Sequence, residues 1–213
     1  MKYLACVLVA CILSLSAAIA AENEIQLPEP KKTGGPALFE AMDQRGSPGQ
    51  GSFPSGEVSN EDLSTILWAA SGHNRESSNK WTVPMAMGRP PYCKIYVVSK
   101  SGAFLYNYKK HTLVRVNDKD VRTLIPLQQF AKDAPATLYL VSDGKALEGL
   151  TEPIGSEGGP LLAGAMSQNI YLACGGVGVG ARLIYSIKRD EAAKQLKLDA
   201  KDTALFAMPI GKN

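Results

Sequence analysis

Residues 63–98, LSTILWAASGHNRESSNKWTVPMAMGRPPYCKIYVV, most constrain what this chain can become. Leu63, Ile66, Leu67 and Ala70 fall at the i, i+3, i+4, i+7 spacing that lines one face of a helix with apolar side chains. Ser59 can cap that helix, with Asp62 three residues on as an acidic capping-box partner. Gly72 suits the position just past its end. A polar linker follows, then a Pro/Gly-rich turn at 84–90, then the apolar run KIYVV at 94–98, of strand length. The chain must therefore pack a helix and a buried strand that lie close in sequence.

Residues 1–20 read as a segment outside the fold. They carry one charge, Lys2, then an apolar run closing in Ala18-Ile19-Ala20, the small-x-small pattern after which signal peptidase cuts. The expectation is an exported protein, periplasmic or secreted, whose mature chain starts at Ala21 and keeps no stable membrane span. Two alternatives stay open. The run is nearly long enough to anchor in a bilayer, and Leu8-Val9-Ala10-Cys11 resembles a lipid-attachment site. Residues 21–35 are polar and proline-bearing and read as a flexible lead, and residues 36–213 as one domain.

Composition narrows the class. Roughly 190 residues remain after cleavage, enough for one domain with its own core. The net charge of +3 drops by one with Lys2, too balanced a chain to grip nucleic acid. Cys6 and Cys11 leave with the segment, so Cys93 and Cys174 remain, either bridged or as two buried small hydrophobes. His73 and His111 have no close Cys or carboxylate cluster, and no metal site is expected. Gly155-Ser156-Glu157-Gly158 lacks the G-x-S-x-G spacing of a nucleophile elbow, and no Ser-His-Asp set accompanies it.

The rest of the chain alternates short elements. A short helix is expected from Pro36 through Met42, then a glycine-rich loop holding Arg45 and Ser47. Residues 94–98, 103–106 and 112–116 read as a meander, with His111 in a hairpin. A helical region at 120–130, a strand at 136–141 and a loop at 144–159 follow. Residues 161–173 are the clearest helix, with Leu162, Ala165, Met166, Asn169, Ile170 and Ala173 inward and enough apolar surface to be central. GGVGVG at 175–180 follows a helix rather than a strand, so it reads as a crossover and not a dinucleotide loop. A strand at 181–187, a helix at 190–196 and a strand at 204–210 close the chain.

ILWAASGHNR at 66–75, TVPMAMGRP at 82–90 and KIYVV at 94–98 together resemble the nitroreductase superfamily of FMN-dependent oxidoreductases, in its azoline dehydrogenase-like subgroup. QNIYL at 168–172 and the closing PIG at 209–211 extend the resemblance over most of the chain. It implies an α+β sandwich: a central, mostly antiparallel sheet flanked by helices, with a long buried central helix. It also implies a homodimer with FMN in clefts made by both chains. Hydride or electrons would pass through the flavin to a small organic acceptor, so that no side chain is catalytic.

Carried over residue by residue, the resemblance assigns Arg45 and Ser47 to the phosphate and ribityl chain. Pro84, Met85, Ala86, Gly88 and Arg89 form the flavin-facing turn, and Arg89 would steady the reduced flavin's charge. Backbone N–H groups near Tyr185 and Ser186 would approach flavin N5, and Lys212 would be a basic phosphate ligand. Several positions depart from the pattern: Gly46 and Gly49 stand where arginines would be, Met85 for Ser, Gly88 for Asn, Pro90 for Gln and Trp81 for Arg. Each missing charge-assisted hydrogen bond weakens a phosphate grip by on the order of 1.5–3 kcal/mol. A second expectation therefore stands beside the enzyme: a binding or accessory protein that keeps the fold without flavin, its pocket lined by Trp81, Met85 and Met87.

Overall fold

A computed structural model describes residues 23–75, 78, 80–84 and 89–213. The expected signal segment and the turn residues Met85, Ala86, Met87 and Gly88 lie outside the described residues. Helix α1 spans Leu38–Gln44, and α2, the helix read from the 63–70 spacing, spans Asn60–Ser71. Ser59 Oγ accepts the Asp62 N–H at 3.1 Å, a cap that contributes about 0.5–2 kcal/mol. Gly72 N–H closes the other end on Trp68 O at 2.7 Å. Ile66, Leu67 and Ala70 are wholly buried, as the periodicity requires.

Beyond a small hairpin of β2 (His73–Arg75) and β3 (Lys80–Trp81), the strands form one seven-stranded sheet. They are β1 (Glu24–Gln26), β4 (Cys93–Ser99), β5 (Gly102–Asn107), β6 (Thr112–Asn117), β7 (Ala136–Ser142), β8 (Val179–Ala181) and β9 (Thr203–Lys212). Their order is β1-β6-β5-β4-β7-β9-β8 and each pairing is antiparallel. Side chains alternate across the pleat. Ile95, Val97, Leu138, Leu140, Phe206 and Met208 face α2 and a long helix α5, Ile154–Gly176. Tyr96, Val98, Tyr139, Val141 and Ala207 face the other way, onto Val121, Ile125, Phe130 and a helix α6, Arg189–Gln195. Covered on both sides, β7 is buried at every position. The fold is thus the α+β arrangement expected, with its antiparallel sheet flanked by helices.

Several boundaries differ, each for a physical reason. The lead at 21–35 is not free: β1 adds an edge strand to β6, and Leu27 is buried. The segment after it is pinned at Ser64, whose hydroxyl donates to Pro28 O at 2.5 Å, and at Thr65, whose Oγ1 accepts the Lys31 N–H. The expected loop at 144–159 holds helix α4, Gly144–Leu147, and the first turns of α5. Its glycines let α5 cross the sheet closely; a Cβ on Gly159 would collide with Ser142 Oγ. At 120–130 the chain makes turns, because Pro126 cannot donate inside a helix, and α3 forms only at Gln129–Asp133. The strand expected over 181–187 stops at Ala181, leaving isolated bridges at Ile184 and Ile187. Backbone bonds from the Arg182 N–H to Pro209 O and from the Ile184 N–H to Ala207 O carry the pairing with β9 a little further, and the Leu183 N–H between them donates to the Tyr171 hydroxyl. The central helix is buried along one face only: Glu157, Leu161, Gly164, Gln168 and Gly175 leave an exposed stripe.

Candidate functional site

Two cavities meet that exposed stripe. The first is polar and lies at the C-terminal end of α5. The loop after α1 crosses this end, held by Arg182 Nη1, which donates to Pro48 O at 2.7 Å. Ser47 Oγ and the Tyr171 hydroxyl share a hydrogen bond of 2.8 Å, and the same hydroxyl accepts the Leu183 N–H at 2.7 Å. The Arg45 guanidinium stands over the Tyr171 ring, 5.1 Å from its centroid. Together with Gly175, Gly178 and Asn213 these residues line a cavity of about 410 Å³. The cavity thus brings Arg45 and Ser47 together around Tyr171, a residue that sequence reasoning did not assign to the site. Its signal was present in QNIYL, where a polar-tipped aromatic sits on an otherwise apolar helix.

Lys212 approaches this cavity from behind Gly178. Its ammonium is already committed, donating to Asp62 Oδ2 at 2.7 Å and to Val177 O at 2.5 Å. The second bond caps the carbonyl end of α5, where a cation is favoured. Among the described residues, Arg45 is therefore the one cationic side chain lining the cavity. The same helix end that attracts Lys212 repels an anion. These residues do not fit a phosphate dianion well.

The second cavity, of about 430 Å³, is apolar and lies beside the first half of α5. Pro84, Tyr92, Ile154, Leu161, Leu162 and Ala165 form its walls, and Glu157 is the one charged side chain among the described residues of its lining. Apolar walls of this kind suit an apolar or aromatic ligand. Leu161 of this cavity and Gly175 of the polar one lie close to the same line along α5, separated by roughly 20 Å at 1.5 Å per residue.

The other residues assigned from sequence lie elsewhere. Tyr185 is exposed, its ring 5.2 Å from that of Phe206, and Ser186 O accepts the Leu127 N–H at 2.9 Å. Neither lines either cavity. Arg89 is half-buried and reaches Ala146 O at 3.4 Å, and it too lines neither. Asn169 and Thr82 serve as braces: Asn169 Nδ2 donates to Ala69 O at 2.9 Å and to Thr82 O at 3.2 Å, tying α5 to α2 and to the turn. Cys93 and Cys174 are free and buried, and burial pushes the Cys93 thiol up to about 12 and raises that of Cys174 as well, which disfavours the thiolate at both.

The nitroreductase family model matches residues 52–212, and the chain belongs to that family. A nitroreductase-like protein of Methanocaldococcus jannaschii is 29% identical over 202 residues, covering 89% of this chain and 96% of its own. Among solved structures, a nitroreductase-like protein of Ralstonia eutropha JMP134 superposes with a TM-score of 0.82 at 28% identity, covering 89% of each chain. An FMN-dependent nitroreductase of Clostridium difficile R20291 shares the fold at a TM-score of 0.56 and 18% identity, over 83% of this chain and 87% of its own.

Proposed function

We propose that this chain is an exported, flavin-dependent oxidoreductase, acting as a homodimer on a small organic acceptor. One observation carries the proposal: in a nitroreductase-family chain, an apolar slot and a hydroxyl-lined cavity open onto one exposed stripe of α5. The FMN-dependent relative supports a flavin as the ligand. A bound flavin supplies the hydride chemistry. This chain's part is positioning and exclusion of water. Tyr92, Leu161, Leu162 and Ala165 hold the flat ring, and the Ser47 and Tyr171 hydroxyls meet its polar side chain.

The homodimer accounts for exposed apolar surface. Helix α1 buries none of its residues, and Leu38, Phe39 and Met42 are 62%, 83% and 51% exposed. Leu161 is 75% exposed, and nothing stands within 4 Å of where a Cβ would sit on Gly164 or Gly175. A second chain laid on this face would close the cleft. Export follows from the first 20 residues, and it implies a donor other than the cytosolic NAD(P)H pool.

The Ala165→Trp variant tests the slot. It fills the apolar cavity from a half-buried position, so flavin binding should fall at least tenfold by fluorescence titration while the melting transition stays cooperative. Undiminished binding would move the flavin elsewhere. A second reading, a flavin-free binding module, is favoured by the commitment of Lys212 to Asp62 and Val177. It predicts no flavin affinity in either protein.

A further inference from the structure

We infer that the polar cavity takes the neutral ribityl end of an unphosphorylated flavin, so that riboflavin binds at least as well as FMN. This rests on the flavin reading above and concerns the group at the far end of the ligand. Among the described residues, the lining itself carries little charge, and Arg182 beside it is spent on Pro48 O. Arg45 is the one cation in the lining. Lys212 is neutralised by Asp62 at 2.7 Å and turned to the Val177 carbonyl. The cavity also sits at the carbonyl end of a 23-residue helix, whose dipole disfavours an anion. Phosphate-binding helix ends present N–H groups instead.

What the cavity offers is hydroxyl chemistry. Tyr171 receives the Leu183 N–H, which leaves its own proton and a lone pair to share between Ser47 and a ligand hydroxyl. Ser47 Oγ likewise can both donate and accept. The walls are close on the other side, where Pro48 and Pro54 crowd Gly180 within 3.0 Å of where a Cβ would sit. Neutral ligand hydroxyls can both donate to and accept from the Ser47 and Tyr171 hydroxyls. A phosphate would pair with one guanidinium and face the helix carbonyls with its remaining charge.

The backbone would accept the missing cation. Gly46 is not among the glycines with positive φ, and the atom nearest to where its Cβ would sit, Gln44 O, is 3.9 Å away, so a side chain can start there without strain or collision. The experiment titrates the purified protein and its Gly46→Arg variant with riboflavin and with FMN, following quenching of flavin fluorescence at low and high salt. The expected result for the natural sequence is a riboflavin Kd equal to or below that of FMN, with little salt dependence. In Gly46→Arg, FMN should tighten about tenfold or more while riboflavin stays unchanged, the size of one charge-assisted hydrogen bond. FMN binding at least tenfold tighter than riboflavin to the natural protein, weakened by salt, overturns this inference and leaves the flavin reading standing. Absence of binding by either flavin overturns both.

Discussion

Tyr171 shows how one hydroxyl can organise a site. It bridges the loop at Ser47 and the chain at Leu183, so removing the oxygen should cost about 1–3 kcal/mol and loosen the loop that carries Arg45. Thermal unfolding of Tyr171→Phe checks the first effect, and faster amide exchange at residues 45–48 checks the second. His111 plays a similar part at the sheet edge. Its Nδ1 accepts from the Tyr106 hydroxyl at 2.8 Å, and its Nε2 donates to Ser64 Oγ at 2.7 Å, an assignment that follows from Ser64 giving its own proton to Pro28 O. The neutral ring satisfies every partner. A second proton would face Tyr106 with a donor.

Burial, the largest influence, and Lys32 hold the His111 pKa below its ordinary 6.5, against the Pro28 carbonyl and Glu29. The unfolded chain therefore takes up this proton at a higher pH than the folded one. Stability that is full above about 6.5 should decline as pH falls toward the folded-state value, then level off. Glu24 and Asp120, whose pKa values are also lowered, act in the same direction but below their ordinary 4.5 and 3.8. Melting temperatures between pH 7.5 and 5 thus isolate His111. The His111→Asn variant, whose side chain tolerates the φ of 54° there, should lose this slope. At this scale the motif position of Arg45 and Ser47 brought them to one cavity, whereas Tyr185 and Ser186, assigned from the same resemblance, lie outside both cavities.

Helix α5 shows what local pattern can and cannot tell. Its second half was legible because Leu162, Met166 and Ile170 repeat at helical spacing and are buried as expected. Its first turns were not, because Gly155, Gly158, Gly159 and Pro160 are the residues of loops. They are helical here because tertiary packing outweighs propensity where the helix crosses β7. Gly159→Ala should consequently destabilise by about 1–3 kcal/mol through overpacking against Ser142, although alanine is the better helix former. A denaturant midpoint unchanged or raised in that variant would contradict the close crossing. The lead was misread for a related reason: three residues of edge strand carry no periodicity of their own, and β6 supplies the pairing.

For the whole molecule, apolar runs marked individual strands and the family resemblance implied the sheet flanked by helices, whereas the cleft could be read from neither. A cavity arises from elements far apart in sequence, and half of this one is completed, in our proposal, by a second chain. Phe39→Glu with Leu161→Glu should place charges on the face that chain would cover. Light scattering should then find a monomer where the natural protein gives a dimer. Flavin affinity should fall as well, because Leu161 is itself a wall of the apolar slot and a charge there opposes the ring.

The central claim is that this fold, in this chain, still holds a flavin. The absorption spectrum of the purified protein, taken alone and after addition of riboflavin or FMN and removal of the excess, tests it most directly. Retained bands near about 375 and 450 nm are expected, together with a melting temperature that rises with flavin concentration. A colourless protein whose melting temperature is unmoved by either flavin would contradict the claim, and would leave a binding module built on a nitroreductase frame.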